Sequence, residues 1–399
     1  MYPDNLTRAE ARERFALIKT HAYQVEVDLT GREVDQPDAK FRSTSTVQFS
    51  AAAHGSSHID LIADSVTSAT LDGIELDPMT FVNSRLPFSV TPGDHVLSVT
   101  ATLRYSRSGD GLHRFVDPAD DRVYLYSQFE VADARRVYAC FEQPDLKARF
   151  SIIVLAPSGW TVVSNGACLT SEPLDQVVND GAATRHVFAE TLPISTYLTA
   201  VIAGEYHVEQ RSHDAAAGRV PMSILCRQSL APHLDGDRLH TITTAGFDVF
   251  EKHFGYPYPF GKYDQVFVPE YNGGAMENVG CVVIRDDYVF RSRQTEAGHK
   301  VRVNTILHEL SHMWFGDLVT MKWWDDLWLK ESFATWAATF AASEALEDPT
   351  SAWSTFSNGN KNWAYRQDQL PTTHPIAADM VDLEAIELNF DGITYAKGA

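Results

Sequence analysis

Cysteine is scarce in this chain: four residues in 399, at positions 140, 168, 226 and 281, far apart and without a Cys-x-x-Cys pair. That excludes a disulfide-stapled scaffold and reads as structural thiols in a reducing compartment. Positive charge is in deficit too, with 33 Lys+Arg against 53 Asp+Glu and a formal net charge of −20. A surface that negative repels phosphate backbones and anionic lipid, so neither nucleic acid nor membrane is an expected partner. No run approaches the roughly 18 apolar residues of a membrane span, and the opening MYPDNLTRAEARERF lacks the apolar centre of a secretory signal. The expectation is a cytoplasmic monomer, in which the Asn5-Leu6-Thr7 sequon has no use. Repeats and low-complexity segments are missing as well.

What is present suffices for a large core. A hydrophobic content of 44% over 399 residues exceeds one ordinary domain. Two textures divide the chain. From about residue 20 to 205 short strand-like runs recur. Tyr23, Val25, Val27 and Leu29 alternate with polar neighbours, and similar stretches follow at 95–105, 149–156 and 195–208. Asp72-Gly73, Pro92-Gly93-Asp94, Pro157-Ser158-Gly159 and Asp180-Gly181 supply turn signals between them. Beyond residue 209 helical spacing takes over at 239–255, 297–315 and 326–346, with strand-like segments at 266–271 and 281–286. The predicted fold class is α+β: an N-terminal antiparallel β domain over 1–208 and a mixed domain over 209–399 that carries the chemistry.

His308-Glu309-Leu310-Ser311-His312 is an H-E-x-x-H sequence. Val303, Ile306, Leu307, Leu310 and Trp314 recur at helical spacing around it, which places the motif on an amphipathic helix. Residues i and i+4 share a helix face, so both imidazoles can reach one metal ion. Glu309 is not a ligand; it faces the adjoining cleft as a general base toward water. Glu331, with 18 residues between it and His312, stands on the next helical segment. A helix returning antiparallel brings its carboxylate to the same ion. Two histidines and a glutamate leave the fourth position of a catalytic zinc open. Asp317, Asp325 and Asp326 read either as acceptors that orient the ligand histidines or as solvated and capping carboxylates. Gly273-Gly274-Ala275-Met276-Glu277-Asn278 precedes this helix. A glycine pair permits close backbone approach, and an extended edge can pair with a peptide beside Glu277. A tight hairpin with a surface glutamate is the alternative.

GGAMEN upstream of HELSH, with Glu331 at its spacing, resembles the aminopeptidase N family of gluzincin metallopeptidases. The resemblance extends over Gln128-Phe129-Glu130, 133–150, 312–334 and ITYAKGA at 393–399, and the start is similar to the actinobacterial branch. It implies a β-sandwich or saddle domain followed by a thermolysin-like zinc domain, one Zn2+ per chain, and release of N-terminal residues from peptides with a free N-terminus. By resemblance, Glu277 and Glu130 bind the substrate's α-amino group. Gln128 and Met276 line the substrate site, Gly274 and Ala275 give backbone contacts, and Tyr395 is the transition-state phenol. Two carboxylates that pair with an ammonium group explain why an internal segment is not a substrate. The rivals are an endopeptidase, an epoxide-hydrolysing branch and a non-enzymatic module. Similar enzymes run to roughly twice this length, so a C-terminally truncated catalytic domain is expected.

Overall fold

A computed structural model describes residues 5–174, 181–346 and 348–399; Asp180 of the expected Asp180-Gly181 turn lies outside them. The chain divides into two compact units, Met1–Tyr206 and His207–Ala399.

The first unit opens with a helix, α1 (Arg8–Leu17), that periodicity did not point to. Its start is a capping box. The Thr7 hydroxyl accepts the Glu10 N–H at 3.2 Å, and the Glu10 carboxylate accepts the Thr7 N–H at 2.9 Å. Two of the four orphan donors of the first turn are thereby satisfied. The central sheet is eight-stranded among the described residues. Its order is Cys168–Pro173, Ala183–Phe188, Arg149–Pro157, Ile18–Asp28, Lys40–Ala51, Gly93–Arg104, Ser65–Leu71 and Ile74–Glu75. Tyr23, Val25, Val27 and Leu29 are buried on one face, as their alternation requires. Asp72 and Gly73 both take positive φ, 54° and 77°, the requirement of a two-residue hairpin turn.

Two sequence expectations need correction here. The domain is not wholly antiparallel, because Ile18–Asp28 runs parallel to Arg149–Pro157, from Ala22↔Arg149 to Asp28↔Leu155. A parallel pair needs a crossover, and here the connection carries other strands of the domain, so turn signals do not reveal it. Residues 195–208 are not one strand. They break into a 3-10 turn at Thr196–Leu198, a strand at Val201–Gly204 and the start of His207–Ala215. Side chains explain the break. Asn165 bonds both the Leu198 carbonyl and the Ala200 N–H, and the Ser164 hydroxyl donates to the Ala200 carbonyl. Those backbone groups are thus unavailable to a ladder.

A buried polar cluster, with no signal in the hydrophobic pattern, ties distant segments together. Arg14 bonds Asp60 at 2.6 Å and Gln143 at 2.7 Å. The Glu142 carboxylate accepts the Arg135 N–H at 2.8 Å and the Thr196 hydroxyl at 2.5 Å.

The second unit packs helices on a five-stranded sheet, ordered His207–Ala215, Gly218–Cys226, Tyr263–Val268, Cys281–Arg285 and Ala275–Met276. The helices α2 (Gly236–Phe254), α3 (Glu296–His312) and α4 (Leu327–Ala345) share its core with Val282, Ile284 and Trp314. Gly246 sets the spacing of α2 and α3, since a Cβ there would fall 2.6 Å from a Leu307 methyl carbon and 2.8 Å from one of Leu310. On α4 the small residues Ala334, Ala337, Ala338, Ala341 and Ala342 are all buried, which permits close approach to neighbours.

Candidate metal centre

The helix α3 begins at Thr295, whose hydroxyl accepts the Gly298 N–H at 3.1 Å. It ends at His312, three residues short of the sequence expectation. The early stop has a chemical result: the Phe315 carbonyl folds back to His312 Nδ1 at 3.0 Å. A carbonyl accepts only, so Nδ1 carries a hydrogen, and in the neutral ring it is Nε2 that has the lone pair a ligand needs. Gly316, at φ 136°, makes this reversal; a Cβ there would sit 3.1 Å from His312 Nδ1. Helix α4 then carries Glu331 back to the pair.

The donor atoms of His308, His312 and Glu331 lie within 4.8 Å of one another. His308 Nε2 is 3.0 Å from His312 Nε2, and Glu331 Oε2 stands 3.2 Å and 3.6 Å from these two nitrogens. Two imidazoles and a carboxylate aimed at a common point suit a zinc-sized cation, and that donor set is among those that three-ligand catalytic zinc sites use. Glu277, Glu309 and His312 form a second group with donor atoms equally close. All three are buried, so two further carboxylates stand close to the ligand histidine His312.

Charge is held in a definite pattern. Burial pushes the Glu309 carboxyl well above the usual range, and Glu277 and Glu331 add to this. Burial acts the same way on Glu331, but Lys330 and His312 outweigh it and hold that group well below its ordinary value. Glu277 is lowered for the same reason, burial being overcome by Lys330 and His312. Burial lowers His308. On His312 burial is outweighed by Glu277 and Glu331, which push it up to about 10. A cation at the ligand point would replace that proton.

Glu277 follows the two-residue strand Ala275–Met276, which pairs antiparallel with Cys281–Arg285 and lies at the edge of the sheet. The Gly274 carbonyl accepts the Arg285 N–H, and Met276 is buried. The loop after Glu277 is pinned by Lys262, whose Nζ donates to the Gly280 carbonyl at 2.8 Å and to Asp264 at 2.7 Å. Tyr395 lies in a π-helical turn, Ile393–Lys397, its ring 6.0 Å from the His308 ring and tilted 19° to it. Ser332 on α4 holds this turn by donating to the Thr394 carbonyl, and Asp391 accepts the N–H groups of Ile393 and Thr394. Gln128 ends the strand Val123–Gln128 of the first unit, and its amide donates to the Glu130 carbonyl at 3.4 Å. Of the three aspartates, Asp325 accepts the Met380 N–H, Asp326 precedes α4 without a side-chain cap bond, and Asp317 is fully buried. The acceptor at His312 Nδ1 is the Phe315 carbonyl, a group no side-chain pattern announces. Lys330, which sequence reading passed over, is buried and donates to Glu277 Oε1 at 2.5 Å and Glu331 Oε1 at 2.7 Å.

A metallopeptidase-type centre on an α+β frame is the class these features define. Residues 240–399 match the Peptidase family M1 domain, and residues 40–198 match the Peptidase M1 N-terminal domain. The chain belongs to peptidase family M1, the family of aminopeptidase N. It is 54% identical to an aminopeptidase N of Streptomyces lividans over 99% of its own length and 45% of that protein's. It is 35% identical to a probable aminopeptidase 1 of Sulfurisphaera tokodaii, over 74% of this chain and 37% of the relative. Aminopeptidase N of Mus musculus is 36% identical over 70% of this chain and 29% of the relative. The chain therefore spans less than half the length of these relatives. No helix among the described residues is long and apolar enough to cross a membrane.

Proposed function

We propose that this chain carries the catalytic centre of a zinc-dependent aminopeptidase that releases N-terminal residues from peptides. One observation carries the reading: Glu277 and Glu309 converge on the same His312 that completes the His308–Glu331 ligand set. His308 Nε2, His312 Nε2 and Glu331 Oε2 would hold one zinc ion. When bound, such an ion lowers the pKa of water and polarises a carbonyl.

The remaining roles fall to the protein's own groups. Glu277 offers a buried carboxylate to the substrate's α-ammonium, a pairing that an internal or blocked peptide cannot make. The edge strand Ala275–Met276 supplies backbone groups to an extended peptide. Burial keeps Glu309 protonated in the metal-free chain; the positive charge of a bound ion would favour its carboxylate, which then takes a proton from the attacking water and returns it to the leaving amine. The Tyr395 phenol donates to the oxyanion that forms at the scissile carbonyl. Gln128 and Glu130 are assigned to the substrate's N-terminus by resemblance alone. The four cysteines are free thiols, which supports a reducing, cytoplasmic setting, and we take the protein as a monomer.

Zinc content, measured with rates on aminoacyl-anilides and their N-acetylated forms, tests this. The expected result is one zinc per chain and turnover only of substrates with a free amine. Glu277→Ala is expected to lower kcat/KM by about 30-fold or more. Absence of zinc, equal cleavage of the acetylated substrate, or unchanged kinetics in E277A would each overturn the assignment.

A further inference from the structure

Neighbouring residues on a helix point about 100° apart, so Lys330 and Glu331 have no reason of spacing to meet. They meet nevertheless. The long stem of Lys330 brings Nζ to Glu331 Oε1 at 2.7 Å and to Glu277 Oε1 at 2.5 Å, with all three side chains buried. The two oxygens of Glu331 are thereby divided. Oε1 faces the ammonium, while Oε2 faces His308 Nε2 and His312 Nε2 at 3.2 Å and 3.6 Å.

A carboxylate can give a metal one oxygen or both. Binding through both would add a ligand atom and fill the position that a three-ligand zinc site keeps open. We infer that Lys330 is a positioning residue that holds Glu331 Oε1 away from the metal, so that Glu331 binds through Oε2 alone. The same ammonium holds Glu277 at a fixed place beside the ligand set. This inference rests on the zinc reading above and deepens it. A simple neutralising role would make a different demand, because an ammonium that only balances buried carboxylates affects stability and leaves coordination number unchanged.

Cobalt(II) loaded in place of zinc separates the two roles, since four-coordinate cobalt absorbs visible light more strongly than five-coordinate cobalt. The proteins to compare are the 399-residue wild type, Lys330→Met and Lys330→Gln, each folded by circular dichroism and matched in cobalt content. Two neutral replacements are used because either one alone could fail to fold. The wild type is expected to give the intense spectrum of a four-coordinate site. The variants are expected to lose intensity and show the weaker bands of a site with Glu331 bound through both oxygens. An unchanged spectrum in a folded, cobalt-loaded variant would overturn the inference while leaving the zinc reading intact. A wild-type chain that takes up no cobalt would instead overturn the metal reading and this inference with it.

Discussion

Replacing Glu142 with Gln tests the buried cluster that organises the first unit. Burial is the largest influence on this carboxyl, and with Asp60 adding to it the group is pushed up to about 7 from its ordinary 4.5, despite hydrogen bonds from Thr196 and Arg135. Between these two values the folded chain holds a proton that the unfolded chain has released. Stability must then fall as pH rises through the window. The displacement amounts to about 3 kcal/mol, fully present as stability below pH 4.5 and lost above about 7. Asp60 acts in the opposite sense: Arg14 and His58 overcome its burial and hold it well below the usual range, so its contribution is lost only in stronger acid. Gln cannot titrate, and its amide group beside the Arg135 N–H adds a cost that does not change with pH. Urea unfolding followed by far-ultraviolet circular dichroism at pH 5 and pH 7.5 reads the difference between the two proteins. Wild type should lose about 2 kcal/mol relative to E142Q across that interval, most of the full displacement. A difference that stays constant within about 1 kcal/mol, near the error of extrapolation, would refute the buried-carboxyl reasoning.

Glu309→Gln should lower turnover by about 100-fold or more while zinc content by atomic absorption stays at the wild-type level; full activity would remove its general-base role. Gly316→Ala places a Cβ against His312 Nδ1 at a positive φ. The strain, about 1–3 kcal/mol, should appear as weaker zinc retention against a chelator, and wild-type retention would show that the reversal is not needed. Thr7→Ala removes one half of the capping box and should cost about 1 kcal/mol, read as a lower Tm without altered zinc content. An unchanged Tm would mean that α1 does not depend on its cap.

The ligand helix was legible because its evidence is local. His308, Glu309 and His312 stand on one periodic segment whose apolar residues declare the buried face, and Val303, Ile306, Leu307 and Leu310 are buried accordingly. The alternation of Tyr23, Val25 and Val27 was equally plain. Thr7 and Glu10 carry a capping signature in their spacing, but the segment between them and residue 20 has no apolar period to confirm a helix. Other features depend on partners distant in sequence. The parallel pairing of Ile18–Asp28 with Arg149–Pro157 leaves no mark in either strand. Arg14, Asp60 and Glu142 look like ordinary surface charges until the fold encloses them. Lys330 is the clearest case, since helix geometry turns it away from Glu331 and only its flexible stem and the arrival of Glu277 bring it back.

The strand Ala275–Met276 has a consequence beyond catalysis. With only two residues at the rim of its sheet, it presents too few unpaired amides to seed the stacking of one molecule on another, the hazard that long bare edges carry. Main-chain groups are alike in nearly every amino acid, so a rung or two of pairing there is indifferent to the identity of a guest. Brevity at that rim thus separates a passing guest from a permanent one.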